Sequence, residues 1–136
     1  AVTTISTQNV AVKLAGTTDY ADLQWFSNTT DNAFVYDGDQ EIGVYVDGEM
    51  SLSGGTGDAI KMKVRQWDDS ESSYIDLYTS GAYTMNAAGR AEGVSLRGFG
   101  TLEKNDRIEV WVLNTSNSNN VTALLDGEVS VNERPS

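Results

Sequence analysis

The chain has 136 residues, of which 20 are acidic and 9 basic, and its formal charge is -11 at pH 7. This length suits one domain with one sizeable core, and the negative charge disfavours binding to nucleic acids and anionic membranes. The chain contains no histidine and no cysteine, which excludes a Ser-His-Asp triad, a cysteine nucleophile, a Cys/His zinc site and a disulfide framework.

Residues 1–20 are small and polar, with weak alternation at Val10, Val12 and Leu14. This pattern is typical of an arm or an edge strand rather than of a core element. We interpret residues 1–20 as an N-terminal arm or edge strand used for attachment, and residues 21–136 as a single β-sandwich domain. No apolar run approaches the roughly 18–20 residues that span a bilayer, so we expect no membrane partner.

From Ala21 onward, short alternating runs are separated by clusters of turn-forming residues, at 27–32, 37–40, 53–58, 68–73, 86–93 and 114–120. Regular short spacing of this kind predicts an antiparallel sandwich or barrel. The chain also contains 13 Val, 5 Ile and 13 Thr, and β-branched residues favour sheets over helices. No stretch keeps a helical apolar period for three turns, so we expect essentially no helix.

The strands predicted at 42–52, 60–67, 74–78 and 107–113 each show two different faces, because successive side chains point to opposite sides of a sheet. Aliphatic residues occupy one face, which we expect to form the core between two sheets. The opposite face mixes charges with five aromatic residues: Tyr45, Trp67, Tyr74, Tyr78 and Trp111. Any one of them is ordinary on a β surface. The set predicts a subunit interface or a ligand face, since both favour aromatics and arginine.

Three acidic residues at alternate positions, Asp37, Asp39 and Glu41, carry oxygen atoms that could bind Ca²⁺. A solvated turn is the favoured interpretation, because Asp and Gly are common turn residues, and the cation alternative stays open. Paired carboxylates could also serve in glycoside hydrolysis, but 20 acidic residues produce coincidental pairs. We therefore expect no enzyme and assign no catalytic, cofactor-binding or metal-binding residue.

Residues 94–131 resemble the C-terminal half of the C1q/TNF-like jelly roll. They contain an apolar strand, a tight turn at 104–106, an alternating strand, a polar loop and a last strand. Residues 41–55 and 59–67 likewise resemble the central strand pair of that family. The run GTLEKNDRIEVWVLN, residues 100–114, is similar to small structural proteins of tailed bacteriophages, in which such domains serve as capsid decoration or fibre heads.

The resemblance implies an antiparallel jelly-roll sandwich that assembles as a three-fold homotrimer and has no enzymatic activity. We therefore expect a structural protein located in the virion, which binds capsid or tail proteins and needs no cofactor, nucleic acid or membrane. The alternative is a carbohydrate-binding β-sandwich module, in which the outward aromatics form a platform for host-surface carbohydrate. A third possibility is a β-sandwich domain of a larger surface protein.

Overall fold

The computed structural model describes residues 2–15, 26–28, 33–124 and 128–133. The predicted turn at 27–32 lies mostly outside these ranges, as do residues 16–20 of the predicted arm. The described residues contain no helix, and all their paired strands are antiparallel. The prediction of an all-β fold is confirmed.

Twelve strands lie within the described residues, and they are numbered in chain order. They are β1 Val2–Thr3, β2 Val12–Lys13, β3 Phe26–Asn28, β4 Ala33–Tyr36, β5 Ile42–Ser53, β6 Ala59–Asp68, β7 Ser73–Thr79, β8 Tyr83–Thr84, β9 Arg90–Leu102, β10 Arg107–Asn114, β11 Val121–Ala123 and β12 Glu128–Glu133. The strands pair into two sheets, named A and B below.

Sheet A has the order β1-β11-β5-β9, and β12 lies beside β11 along the same edge of β5. Sheet B has the order β4-β10-β6-β7, with β3 beyond β4, β2 next to β10 and β8 next to β6. The chain repeatedly crosses from one sheet to the other, so that β4, β6 and β10 belong to sheet B while β5, β9 and β11 belong to sheet A. This strand order is that of a jelly roll, and the predicted antiparallel β-sandwich is confirmed.

The core lies between the two sheets and follows the period-2 pattern of the sequence. Val44 on β5, Val64 on β6 and Val112 on β10 are all 0% exposed, as the alternation predicts for the inward face. Each fully buried aliphatic side chain of this size stabilises the fold by about 1.5–3 kcal/mol relative to an exposed one. The opposite positions on these strands therefore form the outer faces, which are the surfaces open to partners.

A β-bulge in β7 changes which of its residues face outward. The register with β6 shifts between Val64 and Arg65, so that Arg65 pairs with Asp76 while Val64 pairs with Tyr78. Leu77 is the extra residue, and the side chains on either side of it change face. Tyr78 consequently lies opposite an inward valine and packs against the core. The prediction that placed it on the outer face with Tyr74 was wrong at this residue.

Two glycines on β9 allow the bulged strand to approach the other sheet closely. A Cβ atom at Gly98 would lie 3.3 Å from the Cβ atom of Leu77, and one at Gly100 would lie 3.0 Å from its Cδ1 atom. Leu77 therefore occupies space that side chains on β9 would otherwise need. This contact closes the sandwich along the side formed by β7 and β9.

Residues 2–15 lie along the sandwich and contribute one edge strand to each sheet, since β1 pairs with β11 and β2 with β10. Ile5 and Leu14 are only 4% and 3% exposed and belong to the core. The N–H of Leu14 donates to the carbonyl of Val110 at 2.9 Å. This segment is thus an edge element that also completes the core, a role that its weak alternation did not reveal.

Candidate functional site

Three of the five predicted aromatics meet on the outer face of sheet B. The rings of Trp67 on β6 and Tyr74 on β7 have centroids 4.9 Å apart, and those of Tyr74 and Trp111 on β10 are 5.1 Å apart. Both pairs are edge-to-face, the arrangement that the charge distribution of aromatic rings favours. Tyr45 lies elsewhere, on the outer face of sheet A, and Tyr78 packs inward.

Two arginines cover the tryptophan rings of this cluster. The guanidinium carbon of Arg65 lies 4.6 Å from the ring centroid of Trp111, and that of Arg107 lies 5.4 Å from that of Trp67. Both distances are within the range of a cation–π interaction. The two arginines and the three rings together form one layer, which we call the aromatic–cation face.

A glutamate is buried beneath this layer, where the alternation predicts only an outward charged residue. Glu109 is 1% exposed although it lies on the outer side of β10. Its Oε1 atom accepts a hydrogen bond of 2.9 Å from the indole N–H of Trp111. Its Oε2 atom has ion-pair contacts of 3.5 Å with Lys13 and 3.7 Å with Arg107, but no hydrogen bond. In the sequence, Glu109 lies between Arg107 and Trp111 at alternate positions of one strand. This spacing places the three side chains on the same face and could have indicated their contact.

The buried carboxylate also affects the tyrosine of the cluster. Burial, and then the negative charge of Glu109, raises the pKa of Tyr74 above its usual value, while Arg107 and Arg65 oppose the change. Tyr74 therefore stays a neutral hydrogen-bonding group across the physiological pH range. The contacts around it join β7 to β10 across the intervening strand β6.

Cations are concentrated on this face. The outward positions of β2, β6, β7 and β10 carry five of the nine basic residues of the chain, against two carboxylates, Asp76 and Glu109. The five are Lys13, Lys61, Lys63, Arg65 and Arg107. Asp76 bonds Lys63 at 2.8 Å and Arg65 at 2.7 Å, and the Lys63 hydrogen bond is the main reason why its pKa lies below the usual value. A net positive patch thus lies on a molecule whose total charge is -11.

The acidic turn at residues 37–41 does not assemble a cation site among the described residues. The carboxylate of Asp39 instead receives the ammonium of Lys104 at 3.0 Å. Nearby, the charge of Glu41 raises the pKa of the exposed Glu103. No group of three or more Asp or Glu side chains that could hold a metal ion occurs in the part of the chain that the structure describes.

A second polar cluster joins two loops at one end of the sandwich. The carboxylate of Asp58, which is 5% exposed, accepts hydrogen bonds from the side-chain amides of Asn117 at 2.6 Å and Asn119 at 3.0 Å. Burial by itself would raise the pKa of Asp58, but the amides of Asn119, Asn117 and Asn114 lower it below its usual value. The side-chain amide of Asn114 also donates to Asn117 Oδ1 at 3.0 Å, so these side chains bond mainly to one another, which indicates a structural role.

No family model matches this chain, and no curated protein matches it significantly. Across the described ranges, no helix is long and apolar enough to cross a membrane. The class of protein that the observations define is therefore a jelly-roll β-sandwich with an aromatic–cation face on sheet B.

Proposed function

We propose that the chain is a non-enzymatic structural protein that assembles as a homotrimer through the aromatic–cation face, and that it decorates the capsid or forms the fibre head of a tailed bacteriophage. The observation that supports assembly is the joint presence of Trp67, Tyr74, Trp111 and two arginines on one outer face. Tyrosine, tryptophan and arginine are the residues most enriched in the energetic centres of protein interfaces.

The charge distribution favours a contact between different surfaces of neighbouring copies. The aromatic–cation face is net positive, whereas the rest of the molecule is strongly acidic. Two copies would therefore repel if they met through this same face, and attract if the face met an acidic surface of the next copy. Contacts between two different surfaces are heterologous, and they produce a closed ring when the rotation from one copy to the next divides a full turn evenly. A three-fold ring satisfies this condition and agrees with the resemblance of residues 94–131.

The place in a virion rests on a different observation, the similarity of residues 100–114 to structural proteins of tailed phages. A jelly roll by itself hosts many functions, so the fold supports this assignment without distinguishing it from others. Mass spectrometry of purified phage particles from the source is the direct test. The chain is expected among the virion proteins, and its absence from intact particles would contradict the assignment.

The carbohydrate-binding alternative is less well supported on this face. A sugar ring stacks on the open face of an aromatic side chain. Here Arg65 lies over the ring of Trp111 and Arg107 over the ring of Trp67, while the rings contact each other edge to face. This packing suits a protein partner better than a row of stacked sugars.

The test of assembly is the particle mass in solution, with a pair of matched variants. Leu113 is half-buried on the outer face of sheet B, two positions along β10 from Trp111 of the aromatic–cation face, and Phe99 is exposed on the outer face of sheet A. We expect the parent chain and Phe99→Glu to have the mass of a trimer, and Leu113→Glu to be a monomer with unchanged circular dichroism. A monomeric parent chain, or a Leu113→Glu variant that remains trimeric, would contradict the proposal.

A further inference from the structure

The outer face of sheet A carries a shallow groove of about 560 Å³, away from the aromatic–cation face of sheet B. Its lining combines two aromatic residues, Tyr45 and Phe99, with the polar side chains of Asp47, Arg97 and Ser130.

The two aromatics are directly paired across strands β5 and β9. Phe99 is 63% exposed, more than any other large hydrophobic residue in the described ranges, and Tyr45 is 36% exposed. The neighbours of Phe99 on its strand are Gly98 and Gly100, which face the other sheet and cannot cover its ring. Adjacent exposed rings of this kind mark a contact surface rather than a scattered surface residue.

Polar side chains lie next to the two rings, two positions further along the same paired strands β5 and β9. Asp47 on β5 is paired with Arg97 on β9, and Ser130 on β12 lies on the other side of Asp47. Among the described residues, the side chains of Asp47 and Arg97 have no hydrogen bond or ion pair with one another or with a neighbour. A carboxylate, a guanidinium and a hydroxyl are thus available to a ligand beside the two rings.

The strands hold these groups in fixed positions. β5 is hydrogen-bonded to β9 along one edge and to β12 along the other, so the floor of the groove is a three-stranded ladder rather than a loop. Sites built on such elements keep the geometry of their binding groups better than sites on loops.

We propose that this groove binds a neutral oligosaccharide. The apolar faces of pyranose rings fit against Tyr45 and Phe99, while sugar hydroxyls donate to Asp47 and accept from Arg97. The groove contains one cation beside the carboxylates of Asp47 and Glu49, in a chain of charge -11. These charges repel phosphate groups and acidic sugars, while the two rings and the hydrogen-bonding groups beside them match an uncharged ligand rich in hydroxyl groups.

This inference goes beyond the proposed assembly and is independent of it. The groove lies on sheet A and the aromatic–cation face on sheet B, and the inference places the acidic surface that receives this face on the next copy outside the groove. Failure of sugar binding would leave the mass of the particle unchanged, and failure of assembly would leave the groove intact in a monomer.

The experiment is a titration of the ¹⁵N-labelled full chain, followed by NMR, with maltotriose, cellotriose, mannotriose and triacetylchitotriose at millimolar concentrations. We expect at least one of them to produce saturable shifts in the amides of β5 and β9. Phe99→Ala should weaken that binding about tenfold or more, as for the central residue of a contact. Thr101→Ala, which changes an exposed residue on the same strand beyond the groove, should bind as the parent chain does.

Three outcomes would overturn the proposal. The first is the absence of saturable shifts with all four sugars, and the second is a Phe99→Ala variant that binds as well as Thr101→Ala. The third is a lower particle mass for Phe99→Ala in the absence of sugar, because the groove would then be a contact with a second copy of the chain.

Discussion

Glu109 shows how a single residue can organise a surface. A carboxylate that is 1% exposed is stabilised only if the surrounding groups compensate its charge. Here the indole of Trp111 donates a hydrogen bond while Lys13 and Arg107 supply positive charge. The aromatic–cation face is therefore built around a buried anion, and the positions of its rings and cations depend on that anion.

We expect Glu109→Gln to lower the free energy of unfolding by about 1–3 kcal/mol, because it removes the charge that Lys13 and Arg107 compensate. Urea denaturation at a fixed protein concentration measures this change. The matched control is Asp76→Asn on the same face, where the carboxylate is 43% exposed. A pair of this exposure contributes at most about 1 kcal/mol, so equal effects of the two substitutions would contradict the assigned role of Glu109.

Asp58 makes stability dependent on pH in the acid range. Its folded-state pKa lies below the ordinary value of 3.8, so it stabilises the fold above that value and loses this contribution as the pH falls through the folded-state pKa. We expect Asp58→Asn to reduce the loss of unfolding free energy between about pH 5 and pH 2. Urea denaturation across this range measures the slope, and an unchanged slope would show that the asparagine amides do not favour the charged form.

The ionised form of Glu103 has the opposite effect on stability from that of Asp58. The charge of Glu41 raises the folded-state pKa of Glu103 above 4.5, so its ionised form destabilises the fold at neutral pH. We expect Glu103→Gln to raise the unfolding free energy at pH 7 and to lose this effect as the pH falls through the folded-state pKa to below the ordinary value of 4.5. Stabilisation that persisted unchanged at low pH would point to a cause other than charge.

At the level of strands, the period-2 pattern was sufficient for β5, β6 and β10 but not for β7. The inward positions of the first three strands alternate strictly, so their facing could be predicted from residue type alone. In β7 the extra residue Leu77 reverses the phase, and only its fit against Gly98 and Gly100 on another sheet explains it. Such a contact lies between residues distant in sequence and leaves no local pattern.

The candidate sites also contain some features that the sequence pattern predicts and others that depend on contacts between distant residues. Trp67, Tyr74 and Trp111 could be predicted to share a face, because they alternate with core residues on adjacent strands. The burial of Glu109 could not be predicted in this way, because it depends on side chains from both β2 and β10. The prediction also missed Phe99, although a lone aromatic between two glycines in a β run is a signal for an exposed ring.

The fit between β7 and β9 is directly testable. In Gly98→Ala the new Cβ atom would lie 3.3 Å from the Cβ atom of Leu77, which cannot rotate away, and we expect a loss of about 1–2 kcal/mol in unfolding free energy through overpacking. Gly81→Ala is the control, because a Cβ atom there meets nothing within 4 Å. Thermal or urea denaturation should find the control unchanged or slightly stabilised, and equal values for both would contradict the close approach.

For the molecule as a whole, the separation of charges sets how assembly responds to salt. If the net positive face meets an acidic surface of the next copy, screening weakens the contact. Raising the ionic strength from about 0.1 M to about 1 M shortens the Debye length from about 10 Å to about 3 Å. We expect the dissociation constant of the trimer to rise across this range, as measured by sedimentation equilibrium.

A pair of variants locates the origin of this salt response. Lys61→Gln, on the same outer face of sheet B as the aromatic–cation face, should make the dependence on salt shallower, because one cation of the positive patch is lost. Lys104→Gln, which removes a cation paired with Asp39 in a distant turn, should leave the dependence unchanged. Assembly that strengthens with added salt would show that repulsion between the acidic copies dominates instead.

The pairing of β1 with β11 has a consequence for the order of events during synthesis. Thr3 pairs with Val121, and the ribosome adds about 5–20 residues per second, so the first strand waits roughly ten seconds for its partner. During that time Ile5 has no completed core to enter. The nascent chain therefore cannot finish its jelly roll from the N-terminus forward, and the fold is complete only after β11 and β12 have left the ribosome.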